Sequence, residues 1–143
     1  MQRRPEVSDD MIQVAAEEVA KKLNIADGAE DIANEYRYPM DGFDLAVELS
    51  KWCHWDLDRN DADVLDEMDM LVRYAHEAAC RQWFEENDIQ PPFPVGTEIA
   101  EGVIEGIDEH GVARYLVRQH KTPPEEKRWL LVNFEDAKLP AAA

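Results

Sequence analysis

The sequence has few of the residues on which several protein classes depend. Its two cysteines, Cys53 and Cys80, are too few for a disulfide framework, so both thiols are expected to be reduced. No stretch approaches the roughly 18 uninterrupted apolar residues of a transmembrane helix, and no apolar run follows the arginines near the start. We therefore expect a soluble, cytoplasmic protein with no membrane partner.

Residues typical of catalytic sites are also scarce. There are two serines and two threonines, and Ser8 and Ser50 are explained by a helix cap and a helix surface. No nucleophile elbow, phosphate-binding glycine loop or zinc-protease motif is present. The sequence therefore predicts a protein that is not an enzyme and uses no cofactor.

Basic side chains are few relative to acidic ones. The chain has 32 acidic and 15 basic side chains, which gives a net charge of −17. This charge repels nucleic acids and anionic membranes, so direct binding to either is not expected. The expected partner is a basic protein or a complex that binds nucleic acid. The apolar fraction of 45% is ordinary and predicts a folded chain.

Apolar residues recur at helical spacing and predict a bundle of about four helices. The first follows the N-cap Ser8, and the second runs from about Asp27 to Tyr36. Asp41 is expected to cap the third. The fourth is expected from about Asn60 to Glu86, with Asn60 or Asp61 as its cap. The buried stripe of the third helix is expected to contain Leu45, Ala46, Leu49, Trp52 and Cys53.

The pattern changes at residues 87–96, where three prolines end any helix. Residues 97–107, 112–118 and 128–134 have the composition of strands, and they predict a three-stranded antiparallel sheet or a small SH3-like barrel. The expected class is α+β, with an acidic helical domain over 1–90 and a β unit over 91–143 that ends in a frayed tail. The expected interior residues of the β unit are Val103, Ile107, Tyr115, Val117, Leu131 and Phe134.

Charge is unevenly distributed between these two parts. Residues 1–90 contain 23 acidic and 9 basic side chains, a net of −14, whereas residues 91–143 have a net of −3. The densest stretch is "WDLDRNDADVLDE", residues 55–67, with six carboxylates. This stretch has four interpretations.

The first interpretation is a calcium loop. Asp56, Asp58 and Asn60 match positions 1, 3 and 5 of the EF-hand pattern, and Glu67 matches the bidentate position 12. Asp61 stands where glycine normally makes the turn, and no second loop is present to pair with this one.

The second interpretation is a zinc site. Cys53 and His54 are adjacent, while His76 and Cys80 are four residues apart and share a helix face. Antiparallel packing of the third and fourth helices would bring the two pairs together. Small buried cysteines and a partly buried histidine are the structural alternative.

The remaining interpretations involve no ion. Carboxylates in the first turns of the fourth helix suit the positive end of its dipole. In the other interpretation, carboxylates that face outward form a surface that imitates the phosphates of nucleic acid and binds a basic partner. The residues predicted for this surface are Trp55, Asp56, Asp58, Asp63, Asp66, Glu67, Asp69, Glu77, Glu85 and Glu86.

A small, strongly acidic chain without cofactor or enzyme motifs resembles, in overall profile, the phage-encoded inhibitors of host defence, the anti-restriction and anti-CRISPR proteins. The resemblance implies a stoichiometric inhibitor that binds a nucleic-acid-handling complex at its cationic surface. Two alternatives stay open, namely an adaptor that binds a protein partner through apolar and aromatic patches, and a calcium- or zinc-regulated protein.

Overall fold

A computed structural model describes residues 3–25, 27–123 and 125–141. The chain is α+β, as predicted. The helices in these residues are α1 (Asp9–Lys22), α2 (Ala29–Glu35), α3 (Gly42–Trp52), α4 (Arg59–Leu65) and α5 (Glu67–Glu86). The strands are β1 (Glu98–Ile99), β2 (Gly102–Ile107), β3 (Arg114–Arg118) and β4 (Leu130–Asn133), and a short 3-10 helix (Phe134–Asp136) follows.

The chain forms two compact units, which divide inside α5 between Ala79 and Cys80. This division differs from the predicted boundary after residue 90. Cys80 and Trp83, in the last turns of α5, and Ile89, which follows the helix, belong to the apolar core of the second unit together with residues of the strands. Helical periodicity alone does not indicate which core a helix turn joins.

The first unit is built from α1 to α4 and the first part of α5. The N-cap Ser8 is confirmed, because its Oγ accepts a hydrogen bond of 3.2 Å from the backbone N–H of Met11. The second helix is also confirmed, with Ile32 and Tyr36 buried on its inner side. The largest buried side chains of this core are Val19, Ile32, Tyr36, Leu45, Leu49, Leu65, Met68 and Val72.

Three details of the helix predictions are wrong. The predicted fourth helix is divided at Asp66 into α4 and α5, and its cap is Asp58 rather than Asn60 or Asp61. Trp52, expected in the buried stripe of α3, is 61% exposed. Its indole N–H instead donates a hydrogen bond of 2.7 Å to Glu48 Oε2, one turn earlier on the surface of the same helix.

The second unit contains a sheet with four strands rather than three, in the order β1-β2-β3-β4 and with antiparallel pairing throughout. The predicted strand 97–107 is divided because the chain turns back at Ala100 and Glu101, pairing Ile99 with Gly102. Gly102 has φ +155°, and a Cβ there would lie 2.1 Å from the carbonyl oxygen of Arg118. The sheet is open, so the predicted barrel is not confirmed.

The interior of the sheet follows the prediction only in part. Tyr115, Val117 and Phe134 are buried, whereas Val103 and Ile107 are exposed. Ile104 is buried in place of Val103, and a bulge between Ile104 and Gly106 then changes the alternation along β2. The prediction was also wrong for Leu131, which is exposed on β4 beside the buried Val132. Of the predicted frayed tail, residues 139–141 have no regular secondary structure, and residues 142–143 lie outside the described residues.

Within the described residues, no helix combines the length and the apolar character that a membrane span requires.

The packing of α3 against α4 depends on Gly42 at the start of α3. A Cβ at this position would lie 2.2 Å from the carbonyl oxygen of Ala62 and 2.4 Å from the backbone nitrogen of Asp66. No side chain fits into that space, so glycine permits the close approach of the two helices. The same approach allows the Gly42 N–H to donate a hydrogen bond of 2.7 Å to Asp66 Oδ1.

Replacing Gly42 with alanine is expected to lower the free energy of unfolding by about 1–3 kcal/mol, because the added methyl group forces the helices apart. Chemical denaturation measures this change. Gly106→Ala is the matched control, since its Cβ would make only an ordinary contact of 3.8 Å with Leu116. An equal loss of stability in both variants would contradict the proposed packing role.

Candidate functional site

The acidic stretch 55–67 is a loop followed by helix α4, and not a calcium loop. Asp58 Oδ1 accepts a hydrogen bond of 2.9 Å from the Asp61 N–H, and the Asp58 N–H donates one of 3.1 Å to Asp61 Oδ2. This reciprocal pair is a capping box that starts α4. Residues 59–65 are helical, so the stretch does not curve around an ion as an EF-hand loop does. The backbone of this stretch is therefore not that of an EF-hand loop.

Three of the four residues of the zinc interpretation, Cys53, His76 and Cys80, make other contacts in the structure. Cys53 is half-buried against the first core, and this burial, with a smaller effect of Asp31 and Glu35, raises the pKa of its thiol. The His76 ring lies 2.8 Å from the carbonyl oxygen of Pro5, and Cys80 is buried in the second core. In the part of the chain that the structure describes, no group of three or more His, Cys, Asp or Glu residues is placed to hold a metal ion.

Two of the predicted contact carboxylates hold the segment that joins α2 to α3. Asp69 Oδ1 accepts hydrogen bonds from the hydroxyl of Tyr36 and, at 3.1 Å, from the backbone N–H of Met40. Asp66 Oδ1 accepts the bond from the Gly42 N–H described above. Both aspartates therefore have partners within the unit, Asp66 from an exposed position at the division between α4 and α5 and Asp69 from the first turn of α5.

Glu67 and Trp55 also make contacts within the first unit. Glu67 Oε1 lies 2.6 Å from Lys22 Nζ, and this hydrogen-bonded pair raises the pKa of Lys22. Trp55 packs against the first core, and its indole N–H donates a hydrogen bond of 3.3 Å to Asp31 Oδ2. Trp55 was expected to be exposed for a partner, but the structure places its ring against the α2 side of the unit.

The other predicted contact residues are more accessible. Asp56 and Asp63 are exposed, and neither carboxylate forms a hydrogen bond or ion pair with the described part of the chain. Glu77 is half-buried on α5. Glu85 and Glu86 are exposed in the second unit, where Glu86 Oε1 accepts a hydrogen bond of 2.8 Å from Gln82.

The first unit retains a large negative excess after these contacts are considered. Residues 3–79 contain 20 acidic and 8 basic side chains, a net of −12. Among the described residues of this unit, Arg3 pairs with Glu6 and Lys22 with Glu67. The net of −12 already counts all 8 basic side chains, so ion pairs within the unit do not reduce it.

A second feature of the first unit is an apolar groove between α3 and α4, which the sequence analysis did not predict. Its volume is about 710 Å³, and its apolar lining residues are Phe43, Ala46, Val47, Leu57 and Ala62. Phe43 is 70% exposed and Val47 is 46% exposed, which is unusual for side chains of their size. The detectable sequence signal is their spacing of four residues, which places them on one face beside the buried stripe of α3.

Comparisons with protein-family models, with curated proteins and with solved structures give no match to this chain.

The Tyr36–Asp69 hydrogen bond generates a prediction. Tyr36→Phe removes a donor from a charged acceptor and is expected to lower the free energy of unfolding at neutral pH by about 2 kcal/mol. Chemical denaturation provides the measurement, and Tyr74→Phe, at an exposed position of α5, is the control with an expected change under about 0.5 kcal/mol.

The same bond predicts a pH dependence. Burial, followed by the bond to Asp69, raises the pKa of Tyr36 above its ordinary value of 10.0. The folded state therefore retains a proton that the unfolded state loses, so stability falls as the pH rises above about 10. In Tyr36→Phe this part of the decline is absent. If the free energy of unfolding of Tyr36→Phe fell with pH above about 10 as steeply as that of the wild type, the hydrogen bond would be contradicted.

Proposed function

We propose that this chain is a non-catalytic, acidic binding protein of the cytoplasm. It blocks or regulates a nucleic-acid-handling protein complex by presenting a negatively charged surface in place of nucleic acid. The observation that carries this proposal is the net charge of −12 on the first unit, which remains after all 8 of its basic side chains are counted. The profile shared with phage inhibitors of host defence is consistent with such a role.

The proposed imitation of nucleic acid depends on the rigidity of the surface and on the spacing of its charges. Carboxylates on helices are held at fixed separations, as phosphates are along a nucleic acid, and a groove lined by Lys and Arg attracts both. Association of this kind is fast and falls with increasing salt, because ions screen exposed charges. An inhibitor of this type needs no catalytic residues.

The hydrogen bonds of the predicted contact carboxylates support a narrower choice among them. Asp66, Glu67 and Asp69 have hydrogen-bonded roles within the unit, and Asp58 caps α4. Asp56 and Asp63 have no such role among the described residues, and both are exposed. We therefore assign the principal partner contacts to Asp56 and Asp63. Glu77, on α5, is a further proposed contact of the first unit, and Glu85 and Glu86 are separate proposed contacts of the second unit.

An adaptor is the second candidate function, and the groove between α3 and α4 favours it. Exposed Phe43 and Val47, one helical turn apart on α3, line this groove and provide an apolar and aromatic surface. Aromatic side chains concentrate binding energy at protein interfaces. A partner held by apolar contacts binds with little dependence on salt, in contrast to the lead proposal.

Charge reversal tests the lead proposal. A basic partner captured from a host lysate at low salt is expected to be released at high salt. Asp56→Lys combined with Asp63→Lys is expected to weaken the affinity for that partner by about ten-fold or more and to reduce its salt dependence. Titration calorimetry at several salt concentrations measures both effects.

The control keeps the change of net charge constant. Glu109→Lys combined with Glu125→Lys adds the same positive charge at exposed positions of the second unit. Wild-type affinity is expected for this control. Equal weakening in both double variants would show a general effect of charge, and unchanged affinity in Asp56→Lys/Asp63→Lys would refute the assigned surface.

A further inference from the structure

The second unit contains a cavity of about 550 Å³ between the end of α5 and the β2–β3 hairpin. This volume lies within the roughly 300–1,000 Å³ of typical ligand sites. Apolar side chains from both elements line the cavity, and its charged lining residues are Arg81, Glu85, Asp88 and Asp108. The cavity therefore has the size of a binding site and a lining that is both apolar and acidic.

A Schellman motif at the end of α5 forms one wall of the cavity. The Ile89 N–H donates a hydrogen bond of 3.1 Å to the carbonyl oxygen of Phe84, and the Asp88 N–H donates one of 3.3 Å to that of Glu85. This motif brings the side chains of Phe84 and Ile89 together, and it gives Asp88 a left-handed backbone with φ +47°. The wall therefore combines an apolar pair with the carboxylates of Glu85 and Asp88, and all four residues line the cavity.

The β2–β3 turn forms a second wall. Asp108 is buried there, and its carboxylate accepts hydrogen bonds of 3.1 Å from the His110 N–H and 2.7 Å from the Arg114 guanidinium, which hold the turn. Ala113 lines the cavity with a left-handed backbone, φ +51°, at a cost of about 1–2 kcal/mol. Among the described residues of the second unit, the non-glycine residues with a left-handed backbone are Asp88 and Ala113, and both line the cavity. Backbone strain of this kind concentrates at binding sites.

The charge around the cavity is negative when every charged side chain of its walls is counted. Residues 81–91, 107–114 and 134 include the whole lining, and they contain five carboxylates and two guanidinium groups, a net of −3. Arg114 is paired with Asp108, so Arg81 is the remaining cation of the walls. The two residues that follow Phe134 are also acidic. A cationic ligand is therefore attracted to this cavity and an anionic one is repelled.

We propose that this cavity binds a lysine or arginine side chain of the basic partner together with an apolar residue beside it in the partner's chain. The apolar residue packs against Phe84, Ile89 and Ile107, and the cation lies at the carboxylates of Glu85 and Asp88. The inference rests on the proposed function, because it takes the basic partner from there. It adds that the partner's contact segment is apolar as well as cationic, which an acidic surface alone does not require.

Two short peptides of equal length and charge test the proposal by their binding to the full chain. One alternates arginine with leucine, and the other alternates arginine with serine. Fluorescence anisotropy at physiological salt is expected to show about ten-fold tighter binding of the arginine–leucine peptide, because its leucines bury apolar area in the cavity. Equal affinities of the two peptides would overturn the proposal. They would leave the acidic surface of the proposed function standing, since that surface responds to charge alone.

Isosteric variants of the chain locate the binding site. Glu85→Gln combined with Asp88→Asn removes two charges and keeps the side-chain sizes, and asparagine also tolerates the left-handed backbone at residue 88. This variant is expected to bind the arginine–leucine peptide about ten-fold more weakly, with a melting temperature close to wild type. Glu98→Gln combined with Glu125→Gln removes the same charge at exposed positions outside the lining, and wild-type affinity is expected for it. The same affinity in both double variants would overturn the proposal.

A further variant tests the apolar wall. Ile107 lines the cavity and is 44% exposed, so Ile107→Ser is expected to weaken binding of the arginine–leucine peptide about five-fold or more and to leave the arginine–serine peptide unaffected. Val103→Ser, at an exposed position of the same strand outside the lining, is the matched control with wild-type binding expected. Equal weakening by the two substitutions would refute the apolar contact. These measurements use synthetic peptides, so their outcome is separate from that of the Asp56 and Asp63 reversal.

Discussion

Asp66 and Asp69 make the contacts on which the helical unit depends, because they hold the segment between α2 and α3. The backbone N–H groups of Met40 and Gly42 lie outside regular helix bonding, and these two carboxylates supply their acceptors. A buried donor without an acceptor costs about 1–3 kcal/mol, so the aspartates fix where α3 begins. The start of α3 in turn determines where it packs on α4 and where the groove lies.

The acidic residues of the first unit therefore have two different tasks. Some are acceptors for backbone and side-chain donors, as in the Asp58–Asp61 capping box and the Tyr36–Asp69 bond. Others, such as Asp63, are exposed and add to a charge that the unit does not compensate. A hydrogen-bonded carboxylate keeps its negative charge, so the first group still contributes to the electrostatic field while it stabilises the fold.

The exposed carboxylates and the α3–α4 groove of this unit differ in the range of their interactions and in their dependence on salt. A surface of exposed carboxylates acts over several ångströms and is weakened by salt, which suits capture of a basic partner. The α3–α4 groove acts by contact, because Phe43 and Val47 lose exposed area only when a side chain packs on them.

Local patterns in the sequence determined the α+β class, the position of α1 with its Ser8 cap, and the buried faces of α2 and β3, because periodicity and capping depend on neighbouring residues. They also determined the net charge of −17. The exposure of Trp52, the buried side of Val103 and Ile104, and the bonds of Asp66 and Asp69 were decided by tertiary structure. Each of these depends on residues distant in sequence, such as Gly42 against α4. The sequence does not distinguish an aspartate that accepts a hydrogen bond from the backbone from an aspartate that faces solvent.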